Sequence, residues 1–494
     1  MILPIRLLSA AGVFFFATTL VSSFASAASR FGSVWKPIVA LMAACAMLYL
    51  VYRASKRLSA TTFLIVFLSA GFAVRMAWVL WNPATPQSDF LFMYNAAQAA
   101  ASGDYSFGSS AYYSSFPYQF GFTMYEAAVI KLFGDYSLLA LKFLNVLYGI
   151  GIAAVLYAAA SKTFNESCGR IAALFYLFYL PNILMSSVLT NQHLSTLLFL
   201  LGCLLLLRGP DSTTSRSLLA GLLIGLSQLV RPIGIIYLAG IVLFMLPGLG
   251  RKFRVSPRGT EAIAASARLV GVFVVFYAVQ FLASTTLMST GVSQSPLSGG
   301  DRYWKFMVGL NAETNGVWNA DDARYANGFP FGEERHRAEL KRIKERLADK
   351  PEVAALMGRK LVLMWGSADS SAYWSLQGLN EWRLERMLSK WEGPMYILVN
   401  AFGLVALIAL WRTRRYPASS LYLLLLLLYA GAHLLIEIQT RYRLDLLPVA
   451  IVLQSYGAYL ACEWANAWTI GKRRSRRGME SDHSYLTQSF TENF

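Results

Sequence analysis

Apolar positions in this chain fall in long blocks with neither the three-to-four spacing of a helix face nor the alternation of a strand. Residues 61–81 (TTFLIVFLSAGFAVRMAWVLW) and 421–430 (LYLLLLLLYA) are examples. Runs of about 18 or more apolar residues read as spanning helices, because about 20 residues at 1.5 Å rise cross the hydrocarbon core. The pattern predicts spans at roughly 7–27, 36–52, 60–81, 138–160, 170–189, 193–208, 216–231, 233–249, 267–288, 394–412, 418–437 and 443–465. The expected fold is an all-α polytopic membrane protein of about twelve transmembrane helices. Its expected divisions are an N-terminal membrane module (1–288), an extracytoplasmic insertion of mixed or helical structure (289–393), C-terminal membrane helices (394–466) and a disordered cytoplasmic tail (467–494).

The charges give this topology a direction. Arg53, Lys56 and Arg57, then Lys162 and Arg170, Arg208 and Arg216, Arg251, Lys252, Arg254 and Arg258, and Arg412, Arg414 and Arg415 all fall between spans. Lys472, Arg473, Arg474, Arg476 and Arg477 follow the last one. Twelve spans with a cytoplasmic N-terminus put every one of these groups on the cytoplasmic side, as the positive-inside rule requires. Ala25-Ser26-Ala27 resembles a signal-peptidase site, and cleavage there would remove the first span without inverting the rest. Two long segments, about 82–137 and 289–393, then lie outside. The first is expected to carry amphipathic helices. In the second, 333–347 (EERHRAELKRIKERL) predicts a charged helix with Leu340, Ile343 and Leu347 on one stripe, resting on the bundle or the interface.

Composition agrees with this picture. Of 494 residues 56% are hydrophobic and 14% charged, against about 25% charged in soluble domains. The net charge of +17 is explained by the basic loops, so nucleic acid is not an expected partner. The four cysteines show no metal or disulfide spacing. No P-loop, dinucleotide fingerprint or GxSxG is present. The one Asn-x-Ser/Thr site, Asn165-Glu166-Ser167, is on the cytoplasmic side, which favours a bacterial plasma membrane.

Three segments carry candidate chemistry. In the first external loop Asp89 stands about eight residues beyond a span, before a short helix (Phe90 to Ala101) that Gly103 ends. A carboxylate at the mouth of a bundle can act as general base on a hydroxyl; equally, Asp89 can be the N-cap of that helix. Tyr105, Tyr112, Tyr113, Tyr118 and Tyr125 follow, suited either to stacking on a sugar or to an ordinary interface belt. Late in the chain, Glu437-Ile438-Gln439-Thr440-Arg441-Tyr442-Arg443 puts two arginines on the external side. Ionisable groups there are functional candidates. The arginines suit a phosphate, with Glu437 holding one of them; the other reading is a hairpin stapled by its own Glu–Arg pair. Arg231-Pro232 ends the seventh span, where Arg231 either meets an anionic head group or snorkels. His193 lies in another external turn and has no zinc-ligand spacing.

Taken together these segments resemble the C-type membrane glycosyltransferase superfamily (GT-C), in its dolichyl- or polyprenyl-phosphate-sugar-dependent branch, which includes protein mannosyltransferases and aminoarabinose transferases. The resemblance rests on Ser88-Asp89 with Tyr94, Ala97 and Gly103, then Pro117-Tyr118, Tyr125, Leu132-Phe133-Gly134-Asp135 and Asn145. It continues with Arg231-Pro232 and with the Glu437-to-Arg443 run followed by Pro448. It covers about 61–250 and 418–456. It implies a lipid-phosphate-linked sugar as donor, used on the extracytoplasmic face, and a glycan, lipid or protein as acceptor. Asp89 would be the base, Arg231, Arg441 and Arg443 would stabilise the departing lipid phosphate, and displacement would invert the anomeric centre. Tyr94, Tyr118, Tyr125, His193 and Glu437 would line the sugar or lipid groove. There are two departures from the family pattern. Phe90 replaces the acid that follows the first Asp in protein mannosyltransferases, and Gln192-His193 stands where many relatives have an acid. Without that second acid no cofactor is expected, although a divalent cation remains open. The competing expectations are a cell-envelope polysaccharide polymerase or ligase, and a lipid-linked sugar flippase without chemistry.

Overall fold

The computed structural model describes residues 2–255, 259–413 and 418–467. Among them the secondary structure is helical, with no strand. In chain order the helices are α1 (Ile2–Phe31), α2 (Trp35–Ser55), α3 (Ala60–Trp81), α4 (Asp89–Ala101), α5 (Ala111–Ser115), α6 (Phe120–Phe133), α7 (Ser137–Thr163), α8 (Glu166–Phe178), α9 (Leu180–Leu184) and α10 (Gln192–Leu205). They continue with α11 (Thr214–Val230), α12 (Gly234–Val255), α13 (Thr260–Ser289), α14 (Trp304–Gly309), α15 (Ala320–Asn327), α16 (Glu333–Arg346), α17 (Lys350–Gly366), α18 (Ser371–Leu376), α19 (Trp382–Thr413) and α20 (Ser419–Leu435). A last helix, α21, covers 447–467.

Every span read from the sequence falls on helix, but not every such helix is of spanning length. Among the described residues seven helical runs are long and apolar enough to cross a membrane, or eight if α8 and α9, bent by 58° at their break, count as one. Helices α10, α11 and α20 have 14, 17 and 17 residues, and at 1.5 Å per residue they fall short of a hydrocarbon core about 30 Å thick. The chain is a multi-pass integral membrane protein. The predicted tail, with the basic cluster from Lys472, and Arg258, Arg414 and Arg415, lies outside the described residues.

The basic connections gather at one end. Arg170 donates to the carbonyls of Ser55 and, at 3.0 Å, Leu58, which ties the α7–α8 turn to the α2–α3 turn. Lys56 pairs with Glu463 of α21 at 2.7 Å, and Lys252 pairs with Asp211 between α10 and α11 at 2.9 Å. Helix α1 runs unbroken through Ala25–Ala27 and packs on α17 and α19, with Phe15 against Trp365.

The two long segments predicted to be external, 82–137 and 289–393, pack by their own helices. Helix α6 is joined to α7 through Gly134, whose φ of 53° turns the chain. A side chain at Gly121, near the start of α6, would strike the Leu229 carbonyl at 1.9 Å, so glycine is what lets α6 abut the end of α11. The 289–393 segment is helical. Helix α16 packs on α14, with Ile343 buried beside Trp304 and Met307. Its last helix, α19, continues through Pro394 into the membrane region.

Candidate active site

The first loop leaves α3 at Asn82 and enters α4 through Ser88, whose φ of 56° and ψ of −134° is a conformation favoured only by glycine, at a cost of about 1–3 kcal/mol for other residues. Such outliers persist where the surroundings over-determine them. Asp89 is the first residue of α4 and is exposed. It does not cap the helix: among the described residues its carboxylate accepts no helix N–H and forms no ion pair. Its charge reaches two phenols. Burial pushes the Tyr112 hydroxyl well above its ordinary range, and Asp89 adds to that push. Tyr118 lies within electrostatic reach of Asp89 on one side and of Lys305, Tyr442 and Glu437 on the other.

Those residues belong to a cationic cluster built around the Tyr442 ring. Arg231, Lys305 and Arg441 stand over it at 5.3, 5.8 and 5.7 Å. Arg231, at the C-terminal end of α11, holds Asp445 at 2.7 Å and donates to Asn191 at 2.8 Å. Lys305 meets Glu437 at 3.4 Å. Burial opposes its charge, but Tyr442 and Glu437 outweigh burial and hold the ammonium above its ordinary range. Arg441 has no carboxylate among the described residues. Its Nε donates to Gln439 Oε1 at 2.7 Å, and Gln439 in turn donates to Glu437 at 2.8 Å. Its guanidinium lies over Trp374 at 4.4 Å and over Phe90 at 4.9 Å, with both terminal nitrogens unpartnered among the described residues. Three cations against two carboxylates leave one positive charge, and it sits on the residue that touches the neighbour of Asp89.

The backbone under this cluster is fixed from several sides. Glu437 N donates to Lys305 O at 2.8 Å, and Ile438 N donates to Gly316 O at 2.9 Å. A side chain on Gly309 would meet the Ile436 carbonyl carbon at 2.3 Å, so α14 docks on this segment only through glycine. The Lys360 ammonium donates to the carbonyls of Gly309, Leu434 and Ile436 at 2.6, 2.7 and 2.8 Å. Gln192 donates to Arg441 O at 3.0 Å and to Asp445 Oδ1 at 3.1 Å. An acid at 192 would face the Asp445 carboxylate instead, which accounts for the amide in this chain.

The remaining residues singled out from the sequence turn to partners of their own. Arg443 pairs with Asp369 at 3.2 Å and lies over Tyr396 at 4.6 Å, so its charge is already matched. The Tyr94 hydroxyl is 3.4 Å from Ser137, and that of Tyr125 is 2.9 Å from Tyr148. His193 is buried and bonded to the Met185 carbonyl at 2.9 Å, the geometry of a packed histidine. Sequence reasoning missed Lys305, Asp445 and Trp374. Asp445 follows the arginines closely enough to have been paired with them, whereas nothing in the 289–393 segment marks Lys305 or Trp374.

Comparison with known proteins adds the following. No curated protein matches the chain. Among solved structures it is similar to the archaeal oligosaccharyltransferase AglB of Archaeoglobus fulgidus, in complex with an inhibitory peptide and a dolichol-phosphate. That match has 13% identity and a TM-score of 0.47 and covers 84% of this chain and 52% of AglB, so the chain spans about half the length of that protein. It is also similar to ArnT of Cupriavidus metallidurans bound to undecaprenyl phosphate, at 13% identity and TM-score 0.36, covering 81% of this chain and 78% of ArnT. Arabinosyltransferase EmbB of Mycobacterium smegmatis matches at 13% identity and TM-score 0.32, over 86% of this chain and 43% of EmbB. Residues 122–285, from α6 through most of α13, match the dolichyl-phosphate-mannose-protein mannosyltransferase family, a C-type glycosyltransferase family, and so bear out the resemblance carried by the motifs.

Proposed function

We propose that this protein is a membrane glycosyltransferase that moves a sugar from a polyprenyl-phosphate donor to an acceptor hydroxyl. The observation that carries the reading is Arg441 stacked on Phe90. It joins an uncapped carboxylate to an unmatched cation, the two charges that an acyl-free displacement at a phosphate-bearing sugar carbon needs. Asp89 takes the proton of the acceptor hydroxyl as its oxygen bonds to the anomeric carbon. The bond from that carbon to the phosphate oxygen breaks, and the electron pair leaves with polyprenyl phosphate. Arg441, with Lys305 beside it, meets the charge that grows on the leaving phosphate. Attack opposite the leaving group inverts the anomeric centre. Arg231 and Arg443 shape the site through their acid partners, and Tyr118 spans the gap between base and cations. In this reading leaving-group charge is handled by side chains.

The topology that fits this reading has twelve crossings, the shorter helices included, with the termini and basic turns cytoplasmic and the site extracytoplasmic in a bacterial plasma membrane. The 289–393 segment is then an external insertion that lends Lys305 and Trp374 to the site. Hexosyl and pentosyl donors are both compatible with it.

The test is sugar release from radiolabelled polyprenyl-phosphate sugars in proteoliposomes, comparing wild type with Asp89→Asn. Loss of a general base costs about 10²–10⁴-fold, so wild type should consume a donor and the folded variant should not. Equal activity would move the base elsewhere. Labelled lipid crossing the bilayer with no sugar released would make the protein a carrier.

A further inference from the structure

The loop that carries Asp89 is braced by a buried cation outside the site described above. Lys142 projects from the second turn of α7 and is 4% exposed. Its ammonium donates to the carbonyls of Asn82 at 3.1 Å and Ala84 at 2.8 Å, and it forms no ion pair among the described residues. A bare buried ammonium is costly unless its bonds do something a neutral side chain could not. These carbonyls end α3 and begin the stretch to Asp89, where a cation also matches the negative end of the helix. The brace continues sideways. Asn82 Nδ2 donates to Ser375 O at 2.8 Å, fixing α18 and with it Trp374, the ring under Arg441. One turn along α7, Asn145 donates to Val188 O at 2.9 Å.

We propose that Lys142 is a positioning residue that aims Asp89 by clamping residues 82–84, so that Ser88 is kept in its left-handed conformation. The clamp fixes the chain upstream of Ser88 and α4 fixes it downstream. Without the clamp Ser88 relaxes to an ordinary φ, and the residue that swings with it is Asp89. The inference rests on the reading of Asp89 as the base.

The test uses the full chain in nanodiscs and two readouts: hydrogen exchange of peptides covering 82–92, and donor turnover. Lys142→Met should raise exchange in that stretch alone. It should lower kcat about 100-fold, the scale of a small misplacement of a reacting group, while the donor KM stays within about twofold because lipid binding is untouched. Lys142→Arg, which keeps the charge, should recover part of the loss. Ser88→Gly removes the backbone penalty, so Lys142→Met/Ser88→Gly should regain about tenfold in kcat over Lys142→Met, more than Ser88→Gly changes the wild type. If Lys142→Met does not accumulate, Asn82→Ala removes the Nδ2 donor to the Ser375 carbonyl, cutting the same brace from α18 without leaving a buried charge, and should give the same pattern more weakly. Unchanged exchange overturns the clamp. Raised exchange with unchanged kcat overturns the aiming of Asp89, and so does raised exchange throughout the molecule, which would mark a purely structural lysine. If wild type consumes no donor while local exchange still rises in Lys142→Met, the clamp stands and the transferase reading alone falls.

Discussion

Arg441 and Arg443 leave the same short turn two residues apart and enter opposite kinds of surroundings. On one side Arg443, Asp369, Glu392 and Arg30 form a closed set of two cations and two acids, linking the turn to α19 and α1. Arg443 meets Asp369 at 3.2 Å, Arg30 meets Glu392 at 3.3 Å, and Asp369 N donates to Glu392 at 2.6 Å. On the other side Arg231, Lys305 and Arg441 have, among the described residues, only Asp445 and Glu437 as acid partners, and Arg441 is held by a neutral amide and three aromatic faces. The contrast separates two uses of a buried charge. A matched set fixes geometry and has no surplus cation to offer a ligand. A set with one cation in excess is incomplete until an anion joins it, and the first loop brings Phe90, the neighbour of Asp89, against it.

Breaking the closed side should give the largest effect, and it should fall on stability. Arg443→Ala leaves Asp369 buried without its partner, a situation that costs about 3–5 kcal/mol. Thermal unfolding in detergent should show it directly. Arg443→Ala/Asp369→Asn removes both charges and should recover more than half of that loss. A double variant no more stable than the single one would mean that the ion pair is not what Arg443 contributes.

Breaking the open side should fall on turnover instead. Arg441→Ala removes the unmatched charge and should lower kcat by about 10²–10³-fold, as loss of one preorganised charge stabiliser does. Its unfolding temperature should stay close to that of wild type, because no acid is orphaned. Arg441→Lys should fall between the two, since an ammonium keeps the charge but loses the planar stack on Trp374 and Phe90. Equal stability losses at 441 and 443 would erase the contrast.

Much of this contrast was beyond the reach of the sequence. The Glu437-to-Arg443 run was legible because its charges are contiguous and stand where the positive-inside rule does not expect them. Which arginine is open was not, because that depends on Asp369 and Trp374, about seventy residues earlier in a segment without a motif. Asp89 was legible as a candidate, but base and helix cap read alike in the sequence; in the fold Ser88 takes the N-cap position, and the Asp89 carboxylate accepts no helix N–H. Helices were legible from apolar length, the short α10 and α11 included; the bend between α8 and α9 was not, because hydropathy carries no signal for a break inside one apolar run. The charged stripe of 333–347 predicted a helix correctly, but its partner proved to be α14, since an amphipathic face does not name what covers it.

The smallest expected effect tests a third way of holding a buried cation, with dipoles in place of an acid. Lys360 supports the segment that carries Glu437 by donating to three carbonyls. Burial pushes its ammonium from the ordinary 10.5 down to about 7, with Glu437 opposing the fall. Between those values the unfolded chain holds a proton that the folded chain lacks, so stability should rise as pH climbs through that window and be lowest below 7. From pH 7 to 9 the gain is on the order of 1–2 kcal/mol for one such group. Lys360→Met should start lower, because three carbonyls lose their donor, and should show no rise. Unfolding followed at pH 6, 7, 8 and 9 for both proteins decides it. A wild-type curve as flat as the variant's would mean that three converging carbonyls hold the proton as firmly as water does, and that dipoles can replace the missing carboxylate on the open side without a pH cost.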